Sequence, residues 1–363
     1  MLPKRKPTLH VFTEYNRLSR IETHWRDCFL DSDFDNYEVN IVDGTLIDHD
    51  SYLHADTHFK SIQLKRVMDM LNEDKIWDGD VFIFTNAWNY IAVPLSYFRD
   101  EYGLQIKLVG FWGNSMFNPD SPMHHRFLRK QREFATHFES SLFMAYDVNC
   151  FLCEAHRDMF FKRYGKKTVN ASKSMVTGFP FGYLMKKWPD NPLELEKEDS
   201  VILPFYLGDR DQAIVYEGLS GELPEYKFHY AQRTHNHRGR YIDLLSKCKI
   251  MFCGMSLEYN PVLLWEGMLA GVYPMVPDLG IYKEIFPEEY QYPQRLTIAS
   301  QTNTILKIVR NRLQTLDIIK DLMRGYEKNM ERLTQDAHQI GNKYYSNQPT
   351  LKVLKNIFKC AKY

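Results

Sequence analysis

No stretch of about 18 consecutive apolar residues occurs in this chain of 363, so nothing in it is expected to span a bilayer. Charge of one sign is missing as well. Lys plus Arg and Asp plus Glu number 46 each, for a net charge of zero. That excludes a protein that coats nucleic acid over its whole surface, though not one with a local basic patch. There is no Gly/Ser- or Pro-rich tract, no low-complexity segment and no internal repeat, which removes long flexible linkers and repeat arrays. The basic start Met1-Leu2-Pro3-Lys4-Arg5-Lys6-Pro7 is followed by no apolar segment or cleavage site. A secretory signal is therefore not expected, and a cytoplasmic setting is. Cysteines number only six. Cys150 and Cys153 form a single C-x-x-C, and without a second ligand pair nearby a zinc site is not expected. Their alternating apolar context favours a buried strand with inert, reduced thiols.

What is present is an alternation of short apolar runs with amphipathic stretches. Hydrophobic residues make up 44% of the chain, with 23 Tyr, 23 Phe and 6 Trp, enough for two cores. The length also suggests two domains. In the first half, residues 9–12, 37–42, 81–84, 106–110 and 147–152 read as strands. Helices are expected around 24–28, over 61–72, from about Tyr90, and after the long loop 111–123. Trp188-Pro189-Asp190-Asn191-Pro192 opens a Pro- and acid-rich stretch that reads as a linker. Beyond it the alternation restarts with strands at 201–206, 226–230, 250–253 and 272–276, and 302–345 is helical in pattern. Strands alternating with helices predict an α/β fold with parallel, doubly wound sheets. The expected domains are 1–187, a linker at 188–199, 200–340, and a C-terminal helix in 341–363 that packs back on the first domain.

The most informative stretch is Ser256-Leu257-Glu258-Tyr259-Asn260-Pro261-Val262-Leu263-Leu264-Trp265-Glu266-Gly267-Met268. Two acids, Glu258 and Glu266, are separated by seven residues. The first lies in a loop after an apolar strand, and the second in a helix expected to begin near Pro261. A strand, a loop and a helix N-terminus make an anion site, because first-turn N–H groups lack partners. The acids then meet hydroxyls at either end of the anion, which is the layout of a nucleotide-sugar. A capped, solvated helix is the plainer reading.

Residues 250–284 resemble the C-terminal half-site of GT-B glycosyltransferases, above all the retaining clan that contains glycogen synthases, with its Glu-x7-Glu pattern, small-residue turn and strand ending in Pro/Asp. The resemblance implies two Rossmann-like parallel-sheet domains facing across a cleft, and a UDP-sugar as co-substrate rather than a permanent cofactor. It implies that Glu258 contacts the donor sugar and that Glu266 holds the ribose. Asn260, Pro261 and Val262 would place backbone amides near the distal phosphate, with Ser256 also among the donor-binding residues. The loop at Gly208 and Arg210 would meet the diphosphate, and the basic loop at His235 and Arg238 the base and phosphates. Glu258 and Arg210 are the catalytic expectations on this side. Asp120, in the long polar loop 111–123, is the candidate base for the acceptor hydroxyl, with helix capping as its plainer role.

Trp265-Glu266-x-Met268 is similar to the bacteriophage glucosyltransferases that modify hydroxymethylated DNA bases. Arg126, Arg129, Lys130 and Arg132 place four fixed cations in seven residues, a patch suited to phosphate, or else a solvated helix face. The favoured acceptor is therefore 5-hydroxymethylcytosine in phage DNA, with Trp112, His124, Arg126 and Arg129 as its contacts, and a monomer in the host cytoplasm is expected. A bacterial glycan or small-molecule acceptor, or a UDP-sugar epimerase, are the alternatives. Asp-x-Asp occurs at 48–50, 78–80 and 209–211, but such short pairs arise by chance, and catalysis without a metal is expected.

Overall fold

The computed structural model describes residues 5–15, 22–30, 37–47, 52–113, 115, 132–165, 171–189, 191–204, 218–231, 238–254, 260–296 and 305–359. The chain divides into two compact units, one from Met1–Phe117, His125–Phe181 and Ser346–Tyr363, the other built mainly from Gly182–Tyr345.

The first unit alternates β1 (Thr8–Phe12), α1 (Glu22–Leu30), β2 (Glu38–Val42), α2 (Tyr52–Asn72), β3 (Val81–Phe84), α3 (Ala92–Tyr102), β4 (Lys107–Phe111), α4 (Arg132–Ala145), β5 (Val148–Phe151), α5 (Glu154–Tyr164) and β6 (Ser174–Val176). All pairings are parallel, in the order β2-β1-β3-β4-β5-β6. Strands β1 and β3 are buried throughout, as expected of parallel strands covered by helices on both faces. The core is aromatic. Trp25 packs edge-on against Phe111, with centroids 4.7 Å apart, and Phe143 stacks on Phe160 at 5.3 Å. Helix α3 stops where Gly103 turns into the left-handed region (φ 64°) and gives its N–H to Arg99 O.

The second unit runs through β7 (Glu198–Leu203), β8 (Lys227–Tyr230), α6 (Arg238–Lys247), β9 (Cys248–Phe252), α7 (Val262–Leu269), β10 (Tyr273–Pro277), α8 (Gly280–Ile285), β11 (Gln291–Tyr292) and the 36-residue α9 (Ile305–Ile340). Its sheet is also parallel, in the order β11-β10-β9-β7-β8. Leu316, Ile319 and Met323 of α9 close one side of this core against Val201, Ile250 and Phe252. Each such buried side chain contributes roughly 1.5–3 kcal/mol. After a π-helical turn at Gly341–Tyr345, α10 (Asn347–Lys359) joins the first unit, where Thr350 Oγ1 donates to Thr177 O at 3.0 Å.

The strand order of the two sheets follows one pattern. In each sheet the second strand lies to one side of the first and the third to the other, so the order reverses between β1 and β3, and again between β7 and β9. Open α/β sheets bind ligands outside the carboxyl ends of the strands at such a reversal. The Pro- and acid-rich stretch is partly buried. Trp188 is buried, and a Cβ on Gly271 would meet Pro192 at 2.7 Å.

Candidate functional site

In the second unit, the β7/β9 reversal is followed by loops that lie outside the described residues. Gly208, Arg210, His235, Ser256 and Glu258 all fall there, as do Asp120, His124, Arg126 and Arg129 of the acceptor-side expectations. Arg238 is described only as the first residue of α6.

What is described is the helix behind the mouth. Helix α7 begins at Val262 with Pro261 as its cap residue, close to the start expected from the sequence. It is held from two sides. Gly267 lets it approach β9 so closely that a Cβ would meet Met251 Cε at 2.5 Å. Trp265 stacks on Tyr345 (centroids 4.5 Å, planes 17° apart) and donates its indole N–H to Ala337 O at 2.8 Å. Between these two holds is Glu266, 2% exposed, on a helix whose other buried members are Val262, Leu264, Trp265, Gly267, Met268 and Leu269.

The expected row of amides is reduced. Pro261 has no N–H, and that of Val262 is given to Asn260 O at 2.8 Å. Next to α7, Cys253 N donates to Met275 O at 2.9 Å and Tyr292 OH to Cys253 O at 2.6 Å. Burial, with Cys253 and Asp278 adding to it, raises the Tyr292 hydroxyl well above the usual tyrosine value. These contacts fix the end of β9. A cavity of about 660 Å³ opens beside them at the ends of β10 and β11, lined by Asp278, Lys283, Glu284, Phe286, Gln291 and Tyr292 among others.

The first unit has a different mouth. Just past β1, Glu14 is 7% exposed and Lys60 of α2 is 6% exposed. Lys60 Nζ lies 3.3 Å from Glu14 Oε2 and 3.0 Å from Asp56 Oδ2, and it donates to Trp88 O at 3.2 Å. One ammonium thus joins the loop after β1, the helix α2 and the loop after β3. Burial pulls the Lys60 ammonium down, but the Glu14 and Asp56 carboxylates outweigh that and hold it above the ordinary lysine value. Gln63 donates to Thr13 O and to Val42 O, both at 2.7 Å. Sequence reasoning missed this group, whose only local signal is the i,i+4 spacing of Asp56 and Lys60.

Trp112 is wholly buried rather than presented to a substrate. It stacks on Phe151 with planes 9° apart and donates its indole N–H to Asn149 Oδ1 at 2.7 Å. The Asp-x-Asp at 78–80 is taken up by the backbone. Asp80 accepts from Thr8 N and Trp77 N, and Asp78 from Gln105 N. Cys28, Cys150, Cys153, Cys248 and Cys253 are buried thiols outside any disulfide. Burial pushes the Cys150 thiol up to about 12, despite a hydrogen bond with Thr177 that opposes it. Among the described residues, no group of three or more His, Cys, Asp or Glu is arranged to hold a metal ion, and no helix is long and apolar enough to cross a membrane.

No family model and no curated protein matches the sequence. Solved structures do match in fold. Sucrose-phosphate synthase from Thermosynechococcus elongatus is similar with a TM-score of 0.60 at 9% identity, over 98% of this chain and 99% of that one. An alpha-glucosyltransferase, solved with UDP and a 13-mer DNA containing a HMU base, is similar with a TM-score of 0.50 at 10% identity, over 97% and 99%. The pneumococcal O-GlcNAc transferase GtfA, solved with UDP and GlcNAc, gives 0.53 at 12% identity over 84% of this chain. This chain spans only 60% of that transferase. The two parallel sheets with flanking helices match those of GT-B glycosyltransferases.

Proposed function

We propose that this protein is a glycosyltransferase that takes a sugar from a uridine diphosphate sugar and delivers it to the hydroxymethyl oxygen of 5-hydroxymethylcytosine in DNA. The observation that carries the donor half is Glu266, a carboxylate 2% exposed on the otherwise apolar helix that follows the β7/β9 reversal. In this reading Glu266 accepts hydrogen bonds from the ribose hydroxyls and Glu258 contacts the sugar. Arg210 meets the diphosphate through its two-pronged guanidinium, with Gly208, Ser256, Asn260, His235 and Arg238 around it.

The acceptor oxygen forms a bond to the anomeric carbon while the bond from that carbon to the diphosphate breaks. The diphosphate leaves with the bonding pair, and Arg210 stabilises the charge that grows on it. The hydroxyl proton passes to Asp120 if the centre inverts, or to the departing phosphate if it is retained. The anomer of the product tells which.

The DNA acceptor is supported by the fold shared with the alpha-glucosyltransferase solved on DNA and by the cationic run Arg126, Arg129, Lys130 and Arg132. A small sugar as acceptor is the second reading, favoured by the end-to-end likeness to sucrose-phosphate synthase. Turnover is proposed to need no divalent cation, since the described Asp-x-Asp is occupied by backbone N–H groups.

The test is UDP release from a set of UDP-sugars, with and without DNA containing 5-hydroxymethylcytosine, and with EDTA throughout. DNA-stimulated release supports the full reading. Release stimulated by a free sugar or sugar phosphate instead selects the second, and a requirement for metal removes the metal-free claim.

A further inference from the structure

The cavity of about 660 Å³ at the ends of β10 and β11 lies toward one edge of the second sheet, with β10 and β9 between β11 and the β7/β9 reversal. Its volume falls in the range of roughly 300–1,000 Å³ that small-molecule sites occupy. Hydrogen bonds fix its walls. Asp278 N donates to Tyr292 O at 2.9 Å and Gln294 N to Asp278 Oδ1 at 2.6 Å, which ties the two strand ends together. Gln291 Nε2 donates to Phe286 O at 2.8 Å and Tyr344 OH to Glu284 O at 3.0 Å, which holds α8 and the turn after it. The Tyr292 ring stacks on Phe252 of β9 with centroids 5.8 Å apart. A cavity with walls already in place costs a ligand little ordering.

What those bonds leave over decides the ligand. Among the described residues, Asp278 Oδ2 and Gln291 Oε1 accept no hydrogen bond, and the exposed Lys283 and Glu288 have neither a hydrogen bond nor an ion pair. The lining therefore offers three acceptors and one donor beside the apolar surfaces of Phe286, Pro287 and Pro293. A sugar has the matching make-up, with hydroxyls that both donate and accept around a ring whose C–H groups are apolar. An anion fits badly, because Asp278, Glu284 and Glu288 set three carboxylates against one ammonium. A metal ion fits no better, since among the described residues no such group of acids is arranged to hold one. An organic cation would meet the Lys283 ammonium in the same space.

We propose that this cavity is a saccharide site, separate from the β7/β9 mouth, which holds an uncharged sugar through its hydroxyls. Asp278, Gln291 and Glu288 accept from the hydroxyls, Lys283 donates to them, and Phe286 and the two prolines pack against the C–H face. The site stands whether or not the β7/β9 mouth takes a nucleotide-sugar.

The test is saturation-transfer NMR of the full chain with glucose, maltose and N-acetylglucosamine, and with spermidine and inorganic phosphate as charged probes. Wild type, Lys283→Ala and Glu288→Ala are compared, with UDP affinity and the unfolding midpoint read on the same samples. Both substituted side chains are exposed, so the midpoint is expected to hold. At least one sugar is expected to bind saturably to the wild type and about 10-fold more weakly to each variant. UDP affinity should not change, and the sugar should stay bound when UDP is saturating. Sugar binding equal in all three proteins would place it elsewhere, and displacement of the sugar by UDP would place it in the donor mouth. Either result overturns the inference. So does binding of spermidine or phosphate in place of every sugar, or no binding by any probe.

Discussion

The two sheets reverse their strand order in the same way, yet the side chains at the two reversals have little in common. Past β1 and β3 the first unit buries a lysine between two carboxylates, with a backbone carbonyl as its third partner. Past β7 and β9, Tyr292 OH donates to Cys253 O and Cys253 N to Met275 O, and Glu266 is the one buried acid on its apolar helix. Topology supplies a crevice in both; only the side chains assign work to it. A buried pair held by three elements fixes loops. A single carboxylate on a rigid helix suits the recognition of hydroxyls.

The largest effect that would break this contrast is expected from Lys60→Met. It leaves Glu14 and Asp56 facing each other without their cation and should cost about 3–5 kcal/mol in urea unfolding, part of which Glu14→Gln restores. A loss below about 1 kcal/mol, the scale of an exposed pair, would mean that the cluster is solvated. Glu266→Gln is expected to lower kcat/KM for the nucleotide-sugar about 100-fold, the loss of a charged hydrogen-bond acceptor, with the circular dichroism spectrum kept. Equal kcat/KM would remove Glu266 from the site. Gly341→Ala adds a Cβ at 2.7 Å from Trp265 Cζ2 and 3.1 Å from Met185 Sδ. Displacing the ring that stacks on Tyr345 should cost about 1–3 kcal/mol, read as a lowered thermal midpoint.

A last contrast separates the units by pH. Burial holds His156 of the first unit down to about 3 and Lys197 of the second down to about 7. Both folded states favour the neutral group, so stability rises with pH while only the unfolded chain binds the proton. For His156 that window runs from about 3 to its ordinary 6.5, and for Lys197 from about 7 to 10.5. Lys60 acts the other way. Its contribution is complete below 10.5 and is lost as pH rises through its higher folded value. Stability measured against pH should therefore flatten in the acid window for His156→Leu and in the alkaline window for Lys197→Met. Unchanged slopes would contradict the burial of these groups.

Most of the fold was legible because buried parallel strands read as unbroken apolar runs. Residues 81–84 emerge as β3 with the expected bounds. The two-residue β11 and the three-residue β6 are too short to leave a pattern. Helix α2 begins at Tyr52, well before the periodic run from Ser61, since Tyr52-Leu53-His54-Ala55-Asp56-Thr57-His58 carries no clear apolar spacing. The candidate site was open to sequence reasoning only where it is local. Glu266 follows from one helix, whereas the Glu14–Lys60 pair comes from segments far apart in the chain, which no spacing rule connects. Trp112 misled because a polar, aromatic loop follows it, while its own ring belongs to the core beside Phe151 and Phe160.

The most direct test of the central claim is calorimetric titration of UDP into the full chain, as wild type and as Glu266→Gln. Saturable binding weakened about 10-fold or more in the variant, the cost of one charge-assisted hydrogen bond, is the predicted result. No binding to the wild type, or equal binding to both, would contradict the assignment of the β7/β9 mouth to a nucleotide donor.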